Sequence, residues 1–176
     1  MHEPPLKRQV PHERVILQRG ASGYDQMFAR ITRLFIPDAL QSAGITSGAL
    51  DVATGTGAVA RAAAEIVGAA GQVVAGDIAL PMVKQACRNL QAHAITLVAP
   101  DGQRLPLKDG SFDAVTCHFG LMFLSDPLQG LSEFRRVLGD GGRATISFTS
   151  TIPERTLHNR VSIANDMEAL IGSGSR

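Results

Sequence analysis

The stretch that decides the fold is "LDVATGTGAVARAAAE", residues 50–65, in which a short apolar run passes through two glycines into an alanine-rich segment. The apolar run predicts a β-strand, and the alanine-rich segment predicts a helix. Gly55 and Gly57 allow the backbone between them to turn tightly and to approach a ligand closely. A strand, a glycine turn and a helix in this order are the first half of a βαβ unit.

The same alternation continues along the chain. Apolar runs predict five strands, over 48–53, 71–78, 95–100, 111–120 and 143–150. Helical spacing of apolar residues predicts the helices between them, over 57–68, 80–94 and 127–142. Strands that alternate with helices predict an α/β fold with a doubly wound, mostly parallel sheet of about five strands.

The two ends of the chain carry other patterns. Residues 1–20 are polar and contain three prolines, so we expect a flexible lead-in there and one domain over 21–176. Apolar spacing over 24–43 predicts two short helices divided at Pro37. The segment 153–172 is expected to form a final helix.

Composition excludes several classes of protein. The net charge is only +1, so no strong positive field favours nucleic acid. The five histidines are scattered, which argues against a metal site, and no apolar run approaches the length of a membrane span. Cys87 and Cys117 are far apart in sequence and are expected to be reduced thiols of a cytoplasmic protein.

An aspartate stands near the end of each of the first three predicted strands. In a doubly wound sheet, ligands bind at the carboxyl ends of the strands, where the strand order reverses. Asp77 is placed to accept hydrogen bonds from the ribose of an adenosine, although it could instead cap the next helix. Asp101 could accept from the adenine amine or simply begin a turn.

Two cofactors remain open from these residues, beside the possibility of an ordinary tight turn. Gly55, Gly57 and Ala60 fit the relaxed dinucleotide pattern G-x-G-x-x-G/A. Asp51, however, would repel a pyrophosphate and would attract the ammonium group of S-adenosylmethionine. NAD and S-adenosylmethionine share the adenosine moiety, so Asp77 does not separate them.

Four motifs together point to a family. "LDVATGTG", "VVAGDI", "APDGQRLPLKDGSFDAV" and "FGLMFLSDPLQGLSEFRRVLGDGGRATIS" resemble class I S-adenosylmethionine-dependent methyltransferases, especially the branch of ubiquinone and menaquinone biosynthesis C-methyltransferases. The resemblance covers roughly residues 22–150. It implies a Rossmann-like methyltransferase fold, S-adenosyl-L-methionine as the cofactor and methyl transfer to a small-molecule acceptor.

The resemblance also implies roles for individual residues. The residues expected to bind the cofactor, from its methionine end through the ribose and adenine to the sulfonium side, are Tyr24, Asp51, Ala53, Thr54, Gly55, Gly57, Asp77, Ile78, Met82, Asp101, Gly102, Gln103, Cys117, His118 and Phe119. Ala53 stands where the family often has glycine. His118 is the candidate catalytic base or orienting residue, and the alternative is a histidine that only satisfies nearby backbone.

The length of the chain departs from the family pattern. Family members usually have seven strands, with an antiparallel hairpin after the last helix, whereas only five strands are predicted here. The fifth strand would then be an uncovered apolar edge. We therefore expect either a homodimer or a partner chain that covers this edge, or a C-terminally short domain that binds the cofactor without activity.

Overall fold

A computed structural model describes the backbone at residue 30, over residues 32–152 and over residues 155–164, and the side chains up to Ser147. The predicted lead-in over 1–20 and the candidate Tyr24 lie outside the described residues. The proposed domain, 21–176, extends beyond them at both ends.

The described residues form one six-stranded sheet. Its strands are β1 (Gly48–Val52), β2 (Gln72–Gly76), β3 (Ile95–Val98), β4 (Phe112–His118), β5 (Leu138–Ile152) and β6 (Arg155–Ala164). The order across the sheet is β3-β2-β1-β4-β5-β6, and β1 to β5 run parallel. This arrangement confirms the α/β prediction. The strand order reverses between β1 and β4, which is where such sheets bind ligands.

Among the described residues, α1 (Ile36–Ala43) precedes β1, and the helices α2 (Ala58–Val67), α3 (Leu80–Asn89) and α4 (Pro127–Val137) connect β1 to β2, β2 to β3 and β4 to β5. Short 3-10 turns occupy Arg33–Phe35, Gly68–Ala70 and Leu121–Phe123. The predicted division near Pro37 is seen as the boundary between the 3-10 turn Arg33–Phe35 and α1, which begins at Ile36 and has Pro37 in its first turn. Proline is tolerated there since the first amides of a helix have no intrahelical acceptor.

Apolar residues on both faces of the sheet build two cores. On one face, side chains of α1, α2 and α3 pack against Ala49, Val73 and Ala114. On the other face, Leu131 and Phe134 of α4 belong to one cluster with residues of β1, β2, β4 and β5. Helices on both faces are what right-handed crossovers between parallel strands produce. The carboxyl ends of β1 to β4 consequently meet at one edge of the sheet.

The last described strand corrects two expectations. β6 pairs antiparallel with β5 from Arg143↔Ala164 to Ile152↔Arg155, so the predicted final helix is wrong over Arg155–Ala164. The apolar edge of β5 is covered by β6, which removes the reason for expecting a second chain there and supplies an antiparallel strand that was expected to be missing. The apolar residues of this segment fit both periods, and pairing with β5 selects the strand.

Within the described residues, no helix has the length and apolar character needed to cross a bilayer. The longest described helix, α4, has 11 residues, against the roughly 20 that a span requires.

Candidate functional site

A cleft lies at the carboxyl edge of the sheet, where the loops after β1, β2, β3 and β4 converge. Its volume is about 780 Å³, including its open mouth. Nine of the predicted site residues line it: Ala53, Gly55, Asp77, Ile78, Met82, Asp101, Gly102, His118 and Phe119. Residues from four separate loops are thus brought together at the point where the strand order reverses.

Seven further residues line the same cleft and were missed by sequence reasoning: Val52, Gly76, Ala79, Pro100, Gly120, Phe123 and Leu124. Most of them adjoin a predicted site residue, so strand-end position was the available signal. Phe123 and Leu124 belong to the apolar segment "LMFL" directly after β4. This segment adds apolar surface to the lining of the cleft.

Asp77 follows β2 and joins two of the loops. Its Oδ2 accepts a hydrogen bond from the Gly55 amide at 2.9 Å, and its Oδ1 accepts from the Ala79 amide at 2.8 Å. Burial raises the pKa of Asp77, and the two amide donors act in the opposite direction. The carboxylate therefore holds the glycine turn after β1 and still borders the cleft.

Asp101 follows β3 and is held by Gln103. Its Oδ1 accepts from the Gln103 amide at 3.0 Å and from Gln103 Nε2 at 2.9 Å. The side-chain oxygen of Gln103 accepts from the amide of Asp126, which caps α4 by accepting from Gln129. Gln103 itself does not line the cleft; it fixes Asp101 against the start of α4.

Asp51 lies beneath the cleft instead of on its wall. The side chain is only 1% exposed. Its Oδ2 accepts from Thr54 Oγ1 and its Oδ1 from Thr116 Oγ1, both at 2.7 Å. Burial raises the pKa of Asp51 to about 6, although the two hydroxyl donors oppose the shift. In this arrangement Asp51 supports the turn after β1 from its buried side, and a direct contact between Asp51 and a ligand stays a prediction.

The other predicted residues that do not line the cleft also support it. Thr54 is buried and donates to Asp51. Gly57 faces α3, where a β carbon in its place would lie 2.7 Å from Leu90 Cδ1. Cys117 is fully buried, and burial raises the pKa of its thiol. Thr54, Gly57 and Cys117 thus pack behind the residues that line the cleft.

Two non-glycine residues of the cleft have left-handed backbone. Ala53 has φ of 56° and Phe119 has φ of 57°. Such conformations cost on the order of 1 kcal/mol or more and persist where the surroundings impose them. The two residues follow β1 and β4, the strands on either side of the point where strand order reverses, so the strain is located at the cleft floor.

His118 ends β4 and has a partner at each ring nitrogen. Nδ1 lies 2.8 Å from Ser147 Oγ, and Nε2 lies 3.0 Å from the Thr32 carbonyl oxygen. The ring also packs edge-on against Phe119, with the ring centres 4.4 Å apart. The side chain is thus held by β5 on one side and by the segment before α1 on the other.

The described carboxylates of the cleft give it a negative charge. Its described lining contains Asp77 and Asp101 but neither lysine nor arginine. The described part of the chain holds no cluster of three or more histidine, cysteine, aspartate or glutamate residues that could bind a metal ion. A ligand of this cleft therefore meets hydrogen-bond acceptors and apolar surface.

The chain is similar in sequence to known proteins. A family model described as "Methyltransferase domain" matches residues 50–146, more than half of the chain. The ubiquinone/menaquinone biosynthesis C-methyltransferase UbiE of Hahella chejuensis is 33% identical over 152 residues, which cover 81% of this chain and 61% of that protein. The demethylmenaquinone methyltransferase of Beutenbergia cavernae is 38% identical over 133 residues, which cover 74% of this chain and 50% of that protein.

A solved structure shares the fold. A SAM dependent methyltransferase from Aquifex aeolicus superimposes with a TM-score of 0.68 at 23% identity, over 78% of this chain and 76% of that chain. The chain spans between half and about three fifths of the length of the two curated relatives above. The match of the family model, with the identity to these relatives, establishes that the chain belongs to the methyltransferase domain family.

Proposed function

We propose that the cleft binds S-adenosyl-L-methionine and that the chain transfers its methyl group to a small-molecule acceptor. The observation that carries the proposal is the lining itself: two strand-end aspartates beside apolar side chains, with no lysine or arginine among the described lining residues. A cationic sulfonium cofactor suits such a lining, whereas a pyrophosphate does not.

The residues present fit the adenosine part of this cofactor. Asp77 supplies a carboxylate with acceptor capacity for ribose hydroxyls at the cleft rim. The next side chain, Ile78, is 44% exposed, which is high for a large apolar residue and suits contact with a purine face. Asp101 and Gly102 line the same cleft and are the proposed contacts of the adenine.

The backbone of the glycine turn argues against the dinucleotide alternative. A pyrophosphate is held by free backbone amides of such a turn. Here the Gly55 amide donates to Asp77, the Gly57 amide to the Thr54 carbonyl and the Thr54 amide to the Gly76 carbonyl. These amides point at the protein and are not available to a phosphate.

The bound cofactor would supply an electrophilic methyl group on a sulfonium sulfur. The chain's contribution is then alignment of the acceptor with that methyl group and exclusion of water. Phe119, Phe123 and Leu124 are the proposed apolar wall on this side of the cleft. The names of the relatives make a demethylated quinone the first acceptor to test.

The proposal extends to location and partners. The cysteines Cys87 and Cys117 are both free thiols, which supports a cytoplasmic location. The proposed acceptor is a small molecule, and no second chain is required to cover β5, since β6 pairs with it.

Calorimetric titration with S-adenosylhomocysteine and, separately, with NAD tests the proposal. We expect saturable binding of S-adenosylhomocysteine and none of NAD. Tight NAD binding without S-adenosylhomocysteine binding would overturn it. A transfer assay with methyl-labelled cofactor and a demethylated quinone then distinguishes an active enzyme from a chain that only binds the cofactor. The second function is the alternative, because the chain spans only part of the length of its relatives.

A further inference from the structure

We infer that Ser147 and His118 form a positioning pair that fastens the segment Thr32–Phe35 to the rim of the cleft. The inference concerns the same site as the proposed methyl transfer and rests on that function for its effect on cofactor binding. It assigns Ser147 a role that strand position alone does not indicate, and it makes His118 a positioning residue instead of a base.

The hydrogen-bond partners of the imidazole determine which ring nitrogen carries the hydrogen. A carbonyl oxygen can only accept, so Nε2 must carry the hydrogen that is donated to Thr32. In the neutral ring, Nδ1 then has a lone pair and accepts from the Ser147 hydroxyl. The Thr32 carbonyl thereby selects the tautomer, and the Ser147 hydroxyl supplies the donor for the remaining lone pair on Nδ1.

Ser147 also holds the residue after His118. Its carbonyl oxygen accepts from the Phe119 amide at 2.9 Å. Ser147 is 1% exposed, so both of its polar groups act inside the protein. One residue of β5 therefore orients two consecutive residues of the cleft wall.

Aromatic packing completes the attachment. Phe119 meets His118 edge-on and also meets Phe35 edge-on, with ring centres 6.3 Å apart in the second pair. The hydrogen bond from His118 to Thr32 and the ring contact between Phe119 and Phe35 thus both attach the Thr32–Phe35 segment to adjacent residues at the end of β4. Such pairs contribute through geometry as well as through buried area.

The arrangement has a consequence for the chemistry. The lone pair of Nδ1 is used by Ser147 and the Nε2 hydrogen by Thr32, so neither nitrogen is placed to take a proton from an acceptor in the cleft. The role of His118 is to hold the Thr32–Phe35 segment in a fixed position against the cleft wall.

The first test reads the tautomer of His118 by nitrogen-15 NMR of the imidazole in the full chain. We expect the Nε2–H form in both proteins and a shifted Nδ1 resonance in Ser147→Ala, because the Nδ1 lone pair loses its donor. The matched control is Thr145→Val, which also removes a buried hydroxyl from β5, one that has no hydrogen-bond partner among the described residues. An Nδ1–H wild-type ring, or a Ser147→Ala spectrum identical to that of the wild type, would overturn the inference.

The second test reads the attachment of the segment. The Ile36 amide donates to the Arg33 carbonyl and reports on the turn that follows Thr32. We expect its hydrogen exchange to be about tenfold faster in His118→Phe, which keeps an aromatic ring but loses both hydrogen bonds. His118→Gln retains a side-chain amide donor for Thr32 and should restore part of the protection, while Thr145→Val should exchange like the wild type. Equal exchange in the wild type and His118→Phe would contradict the proposed attachment.

The third measurement links the pair to the site. We expect the dissociation constant of S-adenosylhomocysteine to rise about threefold to tenfold in Ser147→Ala and to stay unchanged in Thr145→Val. An unchanged constant in Ser147→Ala would refute the link to cofactor binding. If the wild type bound no S-adenosylhomocysteine, the proposed function would fail, while the tautomer and exchange measurements would still decide the role of Ser147 and His118.

Discussion

A β carbon on Gly120 would lie 2.3 Å from the β carbon of Ala53, so the loops after β4 and β1 touch at the floor of the cleft with no space between them. Gly120 has φ of −101°, a conformation open to any residue. Its lack of a side chain is therefore required by this contact and not by its backbone.

We expect Gly120→Ala to push the two loops apart. Overpacking of this kind lowers the free energy of unfolding by about 1–3 kcal/mol. The affinity for S-adenosylhomocysteine should fall as well. Urea unfolding and calorimetry measure the two effects. Ala53→Gly combined with Gly120→Ala should recover part of both losses, because it removes the nearest clashing atom, while Cys117 Sγ remains 3.0 Å away.

Gly48→Ala is the matched control for this experiment. Its β carbon would meet nothing closer than the Ser111 carbonyl oxygen at 3.6 Å, which is an ordinary contact. Equal losses from Gly48→Ala and Gly120→Ala would show that the contact between Ala53 and Gly120 has no special role.

Substitution of Asp77 tests the proposed ribose contact. We expect Asp77→Ala to weaken S-adenosylhomocysteine binding by about 1–3 kcal/mol, the scale of lost charge-assisted hydrogen bonds. Calorimetric titration measures the change. Asp140→Asn, an exposed aspartate at the opposite end of the sheet, should bind like the wild type. A dissociation constant unchanged in Asp77→Ala would reduce Asp77 to a support for Gly55 and Ala79.

Asp51 should make stability depend on pH. Its pKa is raised to about 6 by burial, against about 3.9 in an unfolded chain. The folded state therefore holds the proton more tightly, so this contribution is full below about pH 4 and is lost as the pH rises through about 6. The loss is about 3 kcal/mol, at about 1.4 kcal/mol per pKa unit.

Urea unfolding at several pH values between 4 and 7 measures this dependence. Asp51→Asn carries no ionisable group and should lack the decline, while Asp140→Asn should retain it. A decline of the same size in Asp51→Asn would assign it to other groups.

Asp113 should act in the opposite direction at lower pH. Its carboxylate accepts from Thr46, Ser47 and Gly48, and these donors outweigh burial and lower its pKa to about 2. The folded state thus holds the proton less tightly than the unfolded chain, so the stabilisation is full above about pH 4 and is lost as the pH falls through about 2.

We expect Asp113→Asn to lower the free energy of unfolding at pH 7 by about 1–3 kcal/mol, since the donors at the start of β1 lose a charged acceptor. Urea unfolding at pH 7 measures this loss, and Asp140→Asn again serves as the control. A variant as stable as the wild type would show that water replaces Asp113 at no cost.

Much of the fold was predictable because its signals are local. Each of the first four strands is a short apolar run bounded by glycine, proline or aspartate, and the helices between strands repeat apolar residues at helical spacing. The fifth strand, predicted over 143–150, is the longer β5 (Leu138–Ile152). The segment over Arg155–Ala164 failed because its apolar residues fit both periods. Its pairing with β5 is a contact between strands, which a local pattern does not register.

The candidate site was predictable to a similar extent. Asp77 and Asp101 were found because the end of a parallel strand is a position that the sequence marks. Asp51 was found by the same rule, yet the fold covers it with Thr54 and Thr116, the second of which lies 65 residues away. Burial of this kind depends on which strand becomes the neighbour.

The sequence by itself determined the order of the first five strands and the helices between them, the glycine turn and the three aspartates, because apolar periodicity and turn chemistry act over a few residues. Only the tertiary structure decided what those residues meet: Ala53 against Gly120, and His118 between Ser147 and Thr32, 29 and 86 residues away. The physical reason is that hydrogen-bond partners and van der Waals contacts at the cleft are set by the sheet order β2-β1-β4-β5, which brings distant parts of the chain to one edge.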